Sequence, residues 1–314
     1  MAVLVTGVGY IGAALAARLL RAGERVVALD NGFATDLTAV AGLAELGDFE
    51  LVRGSVTAPR AVARAFARGP FAVVYHLAAQ ASSAAAAERP RYTETTNLTG
   101  PRVILDAAVR HGVPRVVYGS SFRVYGPVLP PAVDEQMPYG PQGDLAHLSH
   151  VYGEKLLELY ARRHQLTAIA VRLAVVHGLG PVMKTDYRYL TVPNKYCLQA
   201  VRGEPLVVYP GAAAPTAFIH LDDACAALQA AAAVAWPPGF HAANAAGEVC
   251  PVPQVAALVA TAAQARGLPT RSPQNWRAGG AIHSRLTALG WRPTRTLAAS
   301  VGAVLDYYRA REPT

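Results

Sequence analysis

The chain has 314 residues, 52% hydrophobic and 16% charged, enough apolar content for a sizeable core and too little charge for long disordered or coiled-coil segments. Its net charge of +8, from 29 basic and 21 acidic residues, is carried almost entirely by scattered arginines, with Lys155, Lys184 and Lys195 as the lysines. That balance suits an anionic small-molecule partner, and the lack of a dense basic run argues for no nucleic-acid partner. The three cysteines, Cys197, Cys225 and Cys250, are odd in number and far apart, which suits neither a disulfide framework nor a metal set. The apolar opening from Ala2 to Leu20 has no basic leader and is broken by glycines, and no run is long enough for a membrane span. A cytoplasmic protein with no membrane partner and no metal is expected.

In chain order, Ala2–Thr6 reads as a strand that runs into glycine, and Ile11–Ala22 as a helix stopped by Gly23. Arg25–Leu29 and Leu51–Val52 follow as strands, Pro59–Ala67 as a helix, and Ala72–His76 as a strand. An amphipathic helix is predicted over Asn97–His111, a strand over Arg115–Gly119, a helix over Ser149–Arg163 and a strand over Thr167–Arg172. Such repeated β-α units predict an α/β fold, a doubly wound parallel sheet of Rossmann type. Beyond Ala174 the alternation weakens. A dinucleotide-binding domain over 1–173 and a smaller C-terminal substrate-binding lobe over 174–314 are expected, with part of 216–245 packing back onto the sheet.

Gly7, Gly9 and Gly12 form G-x-G-x-x-G between the first strand and the first helix. Glycines there permit a tight turn and let a pyrophosphate approach the helix N-terminus, whose free N–H groups favour anions. Asp30 ends the second strand, where a carboxylate accepts from ribose hydroxyls and repels a 2′-phosphate, so NAD is favoured over NADP.

TGVGYIG, LDNGF, VYHLAAQAS, TNLTG, YGSSFRVYG, YGEKLLE, VRLAVVHG and FIHLDDACAAL occur in this order along the chain. In these segments the chain resembles the extended short-chain dehydrogenases/reductases, the group of NAD-dependent sugar-nucleotide epimerases and dehydratases. The resemblance implies a cofactor site that includes Tyr10, Ile11, Asn31, Leu77, Ala78, Ala79, Asn97 and His177. It implies a catalytic set of Ser121, Tyr152 and Lys155, with Ser121 binding the reacting oxygen and Tyr152 exchanging its proton. Lys155 is then expected to lower the Tyr152 pKa and to hold the nicotinamide ribose.

Several departures from the family pattern accompany this. Tyr152 and Lys155 are three apart rather than in the family's Y-x-x-x-K spacing, and the register that keeps Lys155 puts Val151 in the tyrosine position. On the substrate side, Val175 stands where the family has asparagine, and Thr216 and Ala217 precede Phe218 where it has arginine. Gln80, Arg123, Lys184, Arg188, Asn194 and Lys195 are the candidate substrate contacts. Phe122 and Arg123 follow Ser121 without the acidic residue that elimination needs, which leaves epimerisation or simple redox chemistry. The expected activity is a sugar-nucleotide 4-epimerase acting through a transient ketone. A dehydrogenase for a non-nucleotide substrate and a silent NAD-binding protein are the alternatives. By analogy with the group, a homodimer is expected through the helices Asn97–His111 and Ser149–Arg163.

Overall fold

The computed structural model describes residues 1–130, 132–209, 213–270 and 281–312. Five strands open the chain: β1 (Ala2–Thr6), β2 (Arg25–Asp30), β3 (Phe49–Arg53), β4 (Val73–His76) and β5 (Arg115–Ser121). After the short β6 (Ala132–Val133) come β7 (Thr167–Leu173), β8 (Val175–His177), β9 (Pro215–His220), β10 (Gly239–Ala245), β11 (Glu248–Pro251) and β12 (Ala281–Ile282).

Seven strands form one parallel sheet in the order β10-β7-β5-β4-β1-β2-β3. The chain winds outward from β1 in both directions, so β1 and β4 flank the switch point where ligands bind in such sheets. Val3–Val5, Val26–Leu29 and Ala168–Val171 are buried throughout, as expected of β-branched and small apolar runs covered on both faces. On one face lie the helices Tyr10–Arg21 and Leu221–Ala233, which pack Leu15, Ala16, Ala227 and Leu228 onto the sheet. On the other, Pro59–Phe66, Gly100–Arg110 and Leu145–His164 contribute Phe66, Ile104 and Leu157. Removing a fully buried leucine such as Leu157 costs about 2–5 kcal/mol by the usual cavity reckoning.

The C-terminal third divides its residues between the sheet and a separate cluster. β10 and Leu221–Ala233 join the main sheet, whereas Val192–Val201, Val252–Gln264 and Leu297–Arg309 enclose their own core of Leu198, Val259, Val304 and Leu305. A small sheet, β11-β9-β8, stands between them.

Two predicted helices differ from their expected form. The one drawn as Asn97–His111 is wound as a π-turn over Thr95–Thr99 and becomes regular at Gly100. The one drawn from Ser149 begins at Leu145, because the Asp144 side chain accepts from the His147 N–H and caps it. Four residues are thereby added to its N-terminus, and they include His147.

Candidate active site

A cavity of about 570 Å³ runs along the C-terminal ends of β1, β2, β4, β5 and β7. At one end is the glycine loop. Gly7 has φ +77°, and a Cβ there would lie 2.5 Å from the Ala78 backbone. A Cβ on Gly12 would lie 1.9 Å from the Gly7 carbonyl oxygen, so the turn tolerates no side chain at either position. No side chain caps the helix that starts at Tyr10, which leaves its first N–H groups available to an anion.

Asp30 is fixed beside this loop. Its Oδ2 accepts from the Val8 N–H at 2.9 Å and its Oδ1 from the Gly32 N–H at 2.8 Å. Each carboxylate oxygen keeps a further lone pair for a ribose hydroxyl. Lys184 also lines the cavity there, and burial pulls its ammonium below the usual lysine value although Asp30 and Asp186 oppose the shift. Tyr10, Ile11, Asn31, Leu77, Ala78, Ala79 and Gln80 line the same space, and small side chains at 78 and 79 keep the wall flat. This donor set fits a dinucleotide: backbone N–H groups for the pyrophosphate and a carboxylate for the adenosine ribose.

At the other end, Ser121 closes β5, and its Oγ accepts from the Arg123 N–H at 3.2 Å. Ser121 and Arg123 both line the cavity. Burial lowers the Arg123 pKa, and Asp144 partly offsets it. The helix Leu145–His164 faces this end with His147 and His150. Tyr152 and Lys155 are not brought there. Tyr152 is 39% exposed, and Lys155 pairs with Glu158 at 3.0 Å and stacks over Tyr139.

Helical geometry explains the correction. At about 100° per residue, His147, His150 and Glu154 fall on one side of the helix. Leu148, Tyr152, Lys155 and Leu159 fall on another, and the latter set is exposed. Ala146 and His150, four apart on the inward side, are both buried, while Val151 is half-buried and packs on the main core.

The inward stripe is tied down by side-chain bonds. Glu154, fully buried, pairs with Arg172 at 2.7 Å and accepts from the Ser120 hydroxyl at 2.5 Å and the Tyr139 hydroxyl at 3.0 Å. Tyr118 and His150 meet at 3.3 Å between the hydroxyl and Nδ1, and burial pushes the His150 pKa down to about 4. Asn97 sits beneath the wall rather than in it. It accepts from the Gln80 N–H at 2.7 Å, donates to the Gln80 carbonyl at 2.8 Å and donates to Ser149 at 2.9 Å. The π-turn holds it in that position.

Three further expected contacts lie away from the cavity lining. His177 is buried with its Nδ1 2.7 Å from the Ser300 hydroxyl, and burial lowers its pKa to about 3. Asn194 bonds the Gly178 backbone and the Tyr10 hydroxyl. Lys195 stacks over Tyr187. Arg188 does reach the rim, where Asp186 and Glu88 already pair with it. His147, His150 and Asp144 belong to no motif in the sequence; the one local signal for them is Asp144, an N-cap residue immediately before an apolar stretch. Among the described residues no cluster has the makings of a metal site, and no helix is long and apolar enough to cross a membrane.

The fold and the cleft together define a dinucleotide-binding α/β protein of the doubly wound kind. The profile of the NAD dependent epimerase/dehydratase family matches residues 3–239, and the chain belongs to that family. It is 36% identical over 186 residues to a UDP-glucose 4-epimerase of Mycolicibacterium smegmatis, covering 57% of each chain. It is 29% identical over 245 residues to a dTDP-glucose 4,6-dehydratase of Streptomyces niveus, covering 73% of this chain and 68% of the relative. The match spans half the length of a UDP-arabinose 4-epimerase from Arabidopsis thaliana, at 50%. In fold, it superposes on a Bifidobacterium longum UDP-glucose 4-epimerase solved with NAD+ and UDP, with a TM-score of 0.84, 20% identity and 99% of both chains covered. A Thermus thermophilus UDP-glucose 4-epimerase solved with NAD gives a TM-score of 0.82 at 24% identity, covering 99% of this chain and 100% of that one.

Proposed function

We propose that the protein is an NAD-dependent sugar-nucleotide 4-epimerase of the cytoplasm. The observation that carries this reading is the single cleft that joins the glycine loop and Asp30 at one end to Ser121 and Arg123 at the other. Gly7, Gly9, Gly12 and Asp30 hold the cofactor, with Leu77, Ala78 and Ala79 against it. NAD, when bound, supplies a site that accepts the hydrogen and electron pair of a substrate carbon and later returns them. Ser121 donates a hydrogen bond to the oxygen on that carbon, Arg123 offers positive charge to an anionic substrate, and Lys184 adds positive charge at the glycine-loop end. The absence of an acidic residue directly after Ser121 supports epimerisation over dehydration. UDP-sugar 4-epimerases among the family relatives support the same substrate class.

We further propose a homodimer built on the helices Gly100–Arg110 and Leu145–His164. Leu148, Tyr152 and Leu159 form an exposed stripe on the longer helix, and its burial against a second copy accounts for their apolar character. Light scattering at micromolar concentration tests it, and a monomer removes the proposal.

The activity is tested on purified protein by identifying the bound nucleotide and then offering UDP-, dTDP- and GDP-sugars. Formation of the epimer without net NADH is expected. Stoichiometric NADH production instead identifies a dehydrogenase, and NAD binding with no turnover identifies a silent binding protein.

A further inference from the structure

We propose that His147, held by Asp144, is the proton carrier of this cleft, taking the proton from the substrate hydroxyl and returning it to the same oxygen. The inference rests on the epimerase reading above and assigns the one role that Tyr152 cannot fill from the outer side of its helix.

Asp144 caps that helix and grips the imidazole at the same time. Its Oδ1 accepts from the His147 backbone N–H at 2.9 Å, and its Oδ2 lies 2.7 Å from the His147 Nδ1. The Ser83 hydroxyl donates to Oδ2 at 2.9 Å and fixes the carboxylate from the opposite wall. An ionised carboxylate only accepts, so Nδ1 carries the hydrogen of the neutral ring and Nε2 keeps a lone pair. Among the described residues, no protein group bonds that Nε2. The side chain is 23% exposed and lines the cavity that also holds Ser121 and Arg123.

The charged and titratable groups around the ring are Asp144 at the helix cap, His150 one turn on, and Arg123 after β5. Burial and Arg123 lower the His147 pKa, and Asp144 raises it, with a net shift downward. That downward shift favours the neutral imidazole, the state a base requires. His150 is a weaker candidate, being buried with its Nδ1 engaged by Tyr118.

The proton balance closes over one cycle. The substrate O–H bond breaks, its electron pair forms the carbonyl π bond, and the proton bonds to Nε2 as the carbon's hydrogen departs with its own pair. Asp144 then faces an imidazolium and stabilises it. On return, the π pair takes the proton back from Nε2 as the carbon regains its hydrogen and electron pair. Ser121 holds the oxygen throughout, and no external acid or base is consumed.

The test uses the NAD-loaded full chain. His147→Gln keeps a polar side chain of similar size, and should lower kcat roughly a hundredfold to ten-thousandfold while NAD affinity and melting temperature stay put. Asp144→Asn retains a good N-cap residue, so folding is preserved, and the acidic limb of the kcat profile should move to lower pH as the imidazole loses its carboxylate. If His147→Gln keeps more than about a tenth of wild-type kcat, the assignment is overturned. Nitrogen-15 histidine NMR provides a readout that needs no turnover. His147 should be an Nδ1–H tautomer whose titration shifts in Asp144→Asn. An Nε2–H tautomer, or a ring indifferent to Asp144, overturns the assignment. A wild type that binds NAD but converts no sugar nucleotide removes the epimerase reading instead, and the NMR result alone then decides the fate of the Asp144–His147 pair.

Discussion

The two ends of the cleft are built by different means. The cradle end is backbone: a glycine turn at φ +77°, an uncapped helix start and Asp30 pinned by two N–H donors. The Ser121 end is a set of side chains on one face of the helix Leu145–His164, anchored by Glu154 to Arg172 and by Ser149 to Asn97. Backbone features are specified by which residues tolerate a given φ, and they survive changes nearby. A side-chain face depends on the helix's rotation, and its chemistry changes wholesale with each step along the sequence. The first design tolerates substitution around it, whereas the second changes the groups facing the cleft with a single step in register.

The largest expected effect separates the ends through stability. Glu154→Ala leaves the buried Arg172 guanidinium unpaired and should cost about 3–5 kcal/mol in denaturant unfolding. A loss below about 1 kcal/mol, the size of an exposed pair, would show that the helix is not anchored there.

Acid should act next, through three buried histidines in different parts of the fold. His76, His150 and His177 have folded pKa values of about 4, 4 and 3, lowered by burial from the ordinary 6.5. Protons therefore bind the unfolded chain first. Stability present above pH 6.5 is lost progressively as pH falls toward those folded values. A melting temperature that stays flat between about pH 7 and about pH 4.5 would contradict the buried, neutral state of these rings.

At the cradle, Asp30→Ala should weaken NAD by about 1–3 kcal/mol and narrow its preference over NADP, measured by direct titration. The ribose hydroxyls lose their acceptor, and the Val8 and Gly32 N–H groups lose theirs. Unchanged affinity and selectivity would count against Asp30 as the ribose contact. The smallest effect is the most diagnostic. Tyr152→Phe and Lys155→Met lie on the outer side of the helix, and should leave NAD affinity and kcat of the NAD-loaded enzyme within about a factor of two. A hundredfold loss from Tyr152→Phe would place that side chain in the chemistry after all, and the inward face would have to be redrawn.

The cradle was legible at the level of single residues because its signals are local. Gly7, Gly12 and Asp30 sit in a strand-loop-helix context that allows few other conformations, and the cavity lies against all three. Ser121 was legible for a related reason, since a strand end has one register. Tyr152 and Lys155 were misplaced because YGEK supplies the expected residue types one position short of the expected spacing. A one-residue offset on a helix turns a side chain through about 100°. The first turn, which carries His147, is signalled only by the N-cap at Asp144.

By itself, the sequence determined the parallel sheet, the glycine turn and the acidic end of β2, because each follows from backbone permission or hydrophobic periodicity. Only the tertiary structure decided which face of the helix Leu145–His164 meets the cavity. That choice is made by contacts distant in the chain: Glu154 with Arg172, Ser149 with Asn97, and His150 with Tyr118. Burial of those partners fixes the rotation of the helix, and the rotation puts His147 in the cleft and Tyr152 at the surface.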